Sequence, residues 1–503
     1  MNVKQKLTHF MVALAAVAIA SSCSDDDDMG GNTQGPDLMA YGLTANNELV
    51  AFNANRPGSF ESSTAIQGLG SGEKLMSIDF RPATGELYAL SSASKLYRIN
   101  TSSAQARVVG SASFSPLIEG TFASIDFNPT VDRIRLVSNT GQNLRLHPET
   151  GALAAEDGDI SFSSAVSISG VAYTNSVAGA SSTTLYDIDA TSGKLFKQDP
   201  PNEGKLVEVG SLGISVTGQV AFDISPDNKS ALIAAHSQNE HALYIVNLGN
   251  GQASKIGNLS SQLIDLAIPT DPVAYAVDAS NNLHIMNPTK DGSVSKTIEG
   301  LSAGETVLGI DFRPATGELY ALGSSSRLYK INLSSGAAAR VGTLPMVPLL
   351  AGSSFGFDFN PAVDLIRVVS NSGQNLRVNP TTGAVAGIDG ALNPGSPAVS
   401  AAAYTNNVAG TSSTTLLVLD HSTSKIYTQA PPNNGTLVEV GALGVTLTAS
   451  NGFDIGSHSG TAYLIGTAGT STKLYQVNTT TGAATAMRDI AVGVTGFSVG
   501  LGF

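Results

Sequence analysis

Seven aspartates recur at matching places in this 503-residue chain. Asp79, Asp126, Asp223 and Asp265 sit in short apolar segments of its first half, and Asp311, Asp358 and Asp454 in the second. Strands converging on an axis would bring such carboxylates together. Clustered oxygen donors are what a calcium ion takes, with about six to eight ligands. The other reading is structural, each aspartate bonding its own turn or a neighbouring strand, as buried polar groups must. Arg98, Arg145, Lys330 and Arg377 stand at matching positions two segments further on. That row fits pairing between the aspartates and a basic residue across each unit. Two carboxylates about 5–10 Å apart would also serve a glycosidase, so polysaccharide cleavage through these residues is the catalytic alternative.

A second candidate set surrounds the turn Ser138-Asn139-Thr140-Gly141-Gln142-Asn143, repeated as Ser370-Asn371-Ser372-Gly373-Gln374-Asn375. Gly141 supplies the positive φ that such a turn needs. A three-residue loop places Arg135 opposite Arg145 on adjacent strands. Two facing guanidinium groups repel unless an anion intervenes, and that anion is Asp126 or a ligand carboxylate or sulfate. Amides beside arginines suit sugar hydroxyls and acidic sugars. The candidate ligand-binding residues are therefore Arg135, Asn139, Gln142, Asn143 and Arg145, with Arg367, Asn371, Gln374, Asn375 and Arg377. The alternative is a satisfied turn with an internal salt bridge.

A third set is Tyr173-Thr174-Asn175 with Gln198, Pro200, Pro201 and Asn202, mirrored by Tyr404-Thr405-Asn406 with Gln429, Pro431, Pro432 and Asn433. Strand direction predicts that it lies on the opposite face from the Ser138 turn, so the two sets form separate clusters, and this one packs loops or halves together. Catalytic signatures are weak. Gly352-Ser353-Ser354-Phe355-Gly356 spells GxSxG without a strand-to-helix context, and His236 and His241 have no counterparts in the second half.

The elements that must position these residues follow from composition. Charged residues make up 13%, glycine numbers 53 and tryptophan is absent. Low charge with β-branched segments and frequent glycine turns predicts an all-β fold. A net charge of −13 without basic clusters argues against nucleic acid, and a single cysteine excludes a disulfide framework. That cysteine, Cys23, follows Lys4, Lys6 and an apolar run too short to span a bilayer. Residues 1–23 resemble a bacterial lipoprotein signal, which implies lipidation at Cys23 and a membrane anchor. Ser24 and Asp25–Asp28 open a solvated tether (24–38) similar to the acidic signal of surface-exposed outer-membrane lipoproteins.

The rest of the chain repeats itself. IDFRPATGELYAL at 78–90 returns unchanged at 310–322, defining halves at 39–270 and 271–503. The halves have diverged unevenly: 20 of 29 positions agree over 125–153, and 5 of 20 over 217–236. Inside each half, units of about 40–50 residues show four strand-like segments, the pattern of a β-propeller. The first unit has only three, with the third expected at 63–69. The missing innermost strand is predicted at 263–268 (LIDLAI), and in the second half at 494–503 (VTGFSVGLGF). The expected fold is two tandem β-propellers, each five-bladed and closed by strand exchange; a single ten-bladed ring is the alternative. The strings IDFRPATGELYAL, DFNPTVDRIR, SNTGQNLR, AYTN and QDPPNEG resemble the bacterial family DUF4394, twice over. The resemblance implies no activity. The expected function is a surface- or envelope-anchored, non-catalytic binding or scaffold module for a glycan or protein. An envelope hydrolase or lyase and a purely structural protein are the alternatives.

Overall fold

The computed structural model describes residues 33–216, 218–237 and 240–503. Cys23 and Asp25–Asp28 therefore lie outside the described residues. Segments such as Leu87–Ser91 (LYALS) and Leu185–Asp189 (LYDID) are buried at every position. A strand buried on both faces must be covered on both, and here the cover is the neighbouring sheet. Tyr88 and Leu90 of one sheet pack on Ile125, Phe127 and Leu136 of the next. Val137 on the far side of that second sheet packs on Val171 and Phe196 of a third. The Tyr88 and Phe127 rings meet edge-on at 5.1 Å, and Tyr320 and Phe359 repeat the contact at 5.1 Å.

Among the described residues the chain forms ten four-stranded antiparallel sheets, five per half, with no α-helix. In eight of them the strands follow chain order. In the other two, strands from both ends of a half share a sheet. Asp265–Ala267 pairs with Met39–Leu43, and Val494–Val499 pairs with Ala274–Asp278. Strand limits differ from expectation in three places. The third strand of the first sheet is Phe60–Ala65, because Gln67 leaves to bridge Gln105 of the next sheet. The first half's pairing strand shrinks to three residues. The last strand ends at Val499, and the tail beyond it crosses to the first half, where Gly502 N–H donates to the Thr84 carbonyl at 2.8 Å.

That crossing is part of a broad contact between the halves, which share one compact unit, Thr33–Phe503. The Pro82–Gly85 turn of the first half enters the second. Tyr275 Oη donates to the Ala83 carbonyl at 2.8 Å, and Ala83 packs with Tyr275 and Leu501. The fully buried Arg81 ion-pairs with Asp132 and Glu149, both at 2.5 Å, and donates to the Gly317 carbonyl. Arg98 donates to the carbonyl of Ala315.

Candidate functional site

The recurring aspartates are buried on the innermost strands, and their oxygens are spent between sheets. Asp79 Oδ2 accepts the Phe127 amide at 2.7 Å, and Asp126 Oδ1 accepts the Tyr173 amide at 3.1 Å. Asp223 Oδ2 accepts the Ile268 amide at 2.6 Å. Asp311, Asp358 and Asp454 repeat the pattern on Phe359, Tyr404 and Val499. Each carboxylate ties its sheet to the following one. Their expected basic partners are elsewhere. Arg98 and Lys330 pair with Glu86 and Glu318, and Arg145 and Arg377 with Asp157 and Asp389. The basic residues sit two strands away from the aspartates, and strands lie about 4.8 Å apart, so a nearer carboxylate takes the contact.

Asp265 departs from the expected alignment. It takes hydrogen bonds from the Ile78 amide and the Ser77 hydroxyl, whereas Ser77 takes the matching one from the Ile125 amide. It thus occupies the serine position of the other inner strands, two residues before the aspartate position. Accordingly Asp79, Asp126 and Asp223 bring carboxylate oxygens within 4.8 Å of one another, as do Asp311, Asp358 and Asp454, and Asp265 stays outside. Burial, reinforced by neighbouring carboxylates, pushes Asp79, Asp126, Asp311 and Asp358 well above the usual range. Burial lifts Asp223 to about 8, Asp265 to about 7 and Asp454 to about 6. Geometry agrees: the Ser498 hydroxyl lies 2.9 Å from Asp311 and 3.0 Å from Asp454. One hydroxyl proton serves only one of them at a time. Burial and mutual repulsion both favour the protonated form of these acids, and among the described residues the two triads are the places where carboxylate oxygens come close enough to hold a cation.

The Ser138 turn forms as expected, with Arg145 directly opposite Arg135. The anion between them is Asp157, not Asp126. Its Oδ2 accepts from Arg135 at 2.5 Å and from Arg145 at 2.8 Å, with Oδ1 also 2.8 Å from Arg145. Although burial would raise it, the two guanidinium groups hold Asp157 below the usual carboxylate range, and Asp389 likewise between Arg367 and Arg377. Arg135 is 1% exposed, and its remaining donors reach Asn143 Oδ1 and Asn202 Oδ1, both at 2.7 Å, and Tyr173 Oη at 3.4 Å. Asn143 Nδ2 donates to the Pro201 carbonyl at 3.0 Å, and Gln198 to the same oxygen. Tyr173, Gln198, Pro201 and Asn202 of the third set therefore meet Arg135 and Asn143 of the second rather than lying apart on the opposite face, while Asn175 pairs with Asn228. The inter-sheet core draws the Pro201 loop over the edge of the preceding sheet. Asn139 and Gln142 instead hold the backbone of residues 117–122. Arg367, Asn371, Gln374 and Asn375 repeat these roles.

The cluster has one asymmetry that the repeat comparison passed over. Asp187 is fully buried with neither oxygen hydrogen-bonded, and burial pushes its carboxyl up to about 8. Valine stands at the matching place, Val418.

This is a duplicated all-β protein whose sheets are joined through buried acids and arginines. The family profile of DUF4394, a domain of unknown function, matches residues 48–267 and again 282–498; the chain belongs to that family. No curated protein matches it. Among solved structures it is similar to the extracellular domain of BT4673 from B. thetaiotaomicron, at 10% identity and TM-score 0.26, covering 91% of this chain and 65% of that one. It is also similar to PorZ, a surface component of the type-IX secretion system of Porphyromonas gingivalis. There the identity is 14% and the TM-score 0.26, covering 89% of this chain and 66% of that one. The chain thus spans just under two thirds of the length of both. Similarity this low carries no activity across. No helix among the described residues is long and apolar enough to cross a membrane.

Proposed function

We propose that the chain is a lipid-anchored envelope protein, carried at the outer membrane by Cys23, whose two halves are five-bladed β-propellers closed by strand exchange. It acts as a non-catalytic binding or scaffold module for a glycan or protein. Closure is supported by the two sheets that combine strands from both ends of a half, since an open array would leave exposed edges. One observation carries the functional reading. The aspartates that a hydrolase would use are committed as acceptors of backbone amides from the next sheet. Their role is to join blades. The test screens the full chain, solubilised in detergent, against envelope and plant polysaccharides, reading both retention and release of cleaved product. Binding without product is expected. Product release that disappears in Asp126→Asn, with the fold retained, would overturn the reading in favour of the hydrolase. Silence in both channels would favour a purely structural protein.

A further inference from the structure

We infer that His236 and His241 form a binding site for a divalent transition-metal ion of the zinc type. The site is independent of any glycan or protein ligand and adds a ligand of its own. The two residues stand on neighbouring strands, Ala231–Ser237 and Glu240–Val246, directly opposite each other in the register.

Their Nδ1 atoms lie 3.2 Å apart, whereas the ring centroids are 4.7 Å apart with the planes inclined at 39°. The nitrogens are closer than the rings, so the edges carrying Nδ1 turn towards each other. Zinc binds imidazole nitrogen at about 2.0–2.1 Å in a tetrahedral arrangement, which puts two such nitrogens roughly 3.3–3.4 Å apart. The pair thus stands within about 0.2 Å of a chelating separation. In the contact as it stands, one Nδ1 donates a proton to the other. Transfer of that proton to Nε2 of its own ring frees both Nδ1 lone pairs with no change of charge, and the ion takes the place of the shared proton.

The surroundings select the ion. Strand alternation puts His236 on the face of Leu232 and Ala234, and His241 on that of Leu243, all three of them core residues. Burial, and then His236 beside it, holds His241 below the ordinary imidazole value, which favours the neutral form that ligates a metal. The adjacent carboxylate is engaged elsewhere, Glu240 pairing with Lys255 at 2.6 Å. The Leu259 amide donates to the His241 carbonyl at 2.8 Å, so the main chain of His241 is held from both sides. Imidazole donors suit zinc-like ions, whereas calcium and magnesium take oxygen. Two protein ligands leave two tetrahedral positions for water or for donors of a bound molecule.

The second half supplies the control. Thr467 and Thr472 occupy the matching places, again directly opposite, with their hydroxyls 2.8 Å apart. Both positions change together between the halves, and the fold accommodates either pair. His236→Thr combined with His241→Thr therefore installs what the other half already carries. Calorimetric titration of the full chain in detergent with zinc chloride should give saturable binding that excess calcium or magnesium does not displace. The double variant should lose at least tenfold in affinity and keep its metal-free melting temperature. His241→Gln alone, which retains a hydrogen-bonding side chain, should lose as much. Zinc should raise the melting temperature of the parent chain and of neither variant, since an ion that binds only the native state stabilises it. His147→Ala, outside the pair, should change nothing. Absence of saturable zinc binding, or unchanged affinity in the double variant, would overturn the site. Displacement by calcium would overturn it too, by moving the ion to the buried carboxylates. An equal loss in His147→Ala would do the same, reducing the binding to an adventitious ion on scattered imidazoles.

Discussion

Two pairs of arginines face each other across adjacent strands in the first half, and they have opposite fates. Arg135 and Arg145 in the third sheet enclose Asp157. Arg98 and Arg107 in the second sheet share no such residue; Glu86 serves Arg98 alone. The same backbone register creates the same repulsion, and a carboxylate supplied in cis decides whether the pair is closed internally or leaves one guanidinium exposed to solvent. The second half sharpens the contrast. It keeps the enclosed pair as Arg367 and Arg377 around Asp389, but places Ala339 opposite Lys330. The enclosed pair is duplicated, and the open pair exists once.

The strongest way to break this comparison is to remove the internal anion. Asp157→Ala leaves Arg135 buried and facing Arg145 with no carboxylate, the situation in which loss of one partner costs about 3–5 kcal/mol. Guanidinium melts followed by circular dichroism should show a loss of that order. Asp389→Ala should behave alike, and a loss under about 1 kcal/mol would mean that the pair is not held by its anion.

A smaller effect of opposite sign is expected at Asp187. Its folded pKa, about 8, is raised from 3.8. A raised acid contributes most below its unfolded pKa, and that contribution is lost as pH rises through the folded value. Stability should therefore decline between about pH 4 and 8. Asp187→Val, copying Val418, should flatten that part of the profile and stabilise the protein by about 1–3 kcal/mol at pH 7, since a buried group without partners is removed. Melting temperatures across pH 4–9 check both. The inner-strand acids, raised in the same direction, should keep a residual slope in the variant.

The smallest change is expected at Arg145. Its side chain is 31% exposed, and Asp157 retains Arg135. Arg145→Ala should cost below about 1 kcal/mol, in the range of exposed pairs, with Arg377→Ala as its match. A loss comparable to Asp157→Ala would place the weight of the cluster on the outer arginine and undo the distinction between buried and open pairs.

How far the residues themselves announced this arrangement varies with distance along the chain. The apposition of Arg135 and Arg145 was readable because a glycine turn sets hairpin register locally. Asp157 was missed as their anion, since it arrives from the next strand after a bend, and Asp126 looked equally placed. Arg107 was invisible to the comparison that found the other candidates. That comparison retains residues common to both halves, and Ala339 stands at the matching place. Asp265 was misaligned by two residues, an even step that keeps the same face of the strand, so alternation could not reveal it.

By itself, the sequence determined the all-β class, the duplication, the sheets joined from both ends of each half and the turn chemistry. These depend on period, composition and short-range steric preferences, which are written residue by residue. Tertiary structure alone decided which carboxylate neutralises which arginine, that two loop clusters merge over Pro201, and that the guanidinium of Arg107 stays exposed to solvent. Such contacts depend on which apolar faces meet across tens to hundreds of residues. Burial is non-directional and roughly proportional to area, so it drives those faces together without marking the polar groups they will carry along.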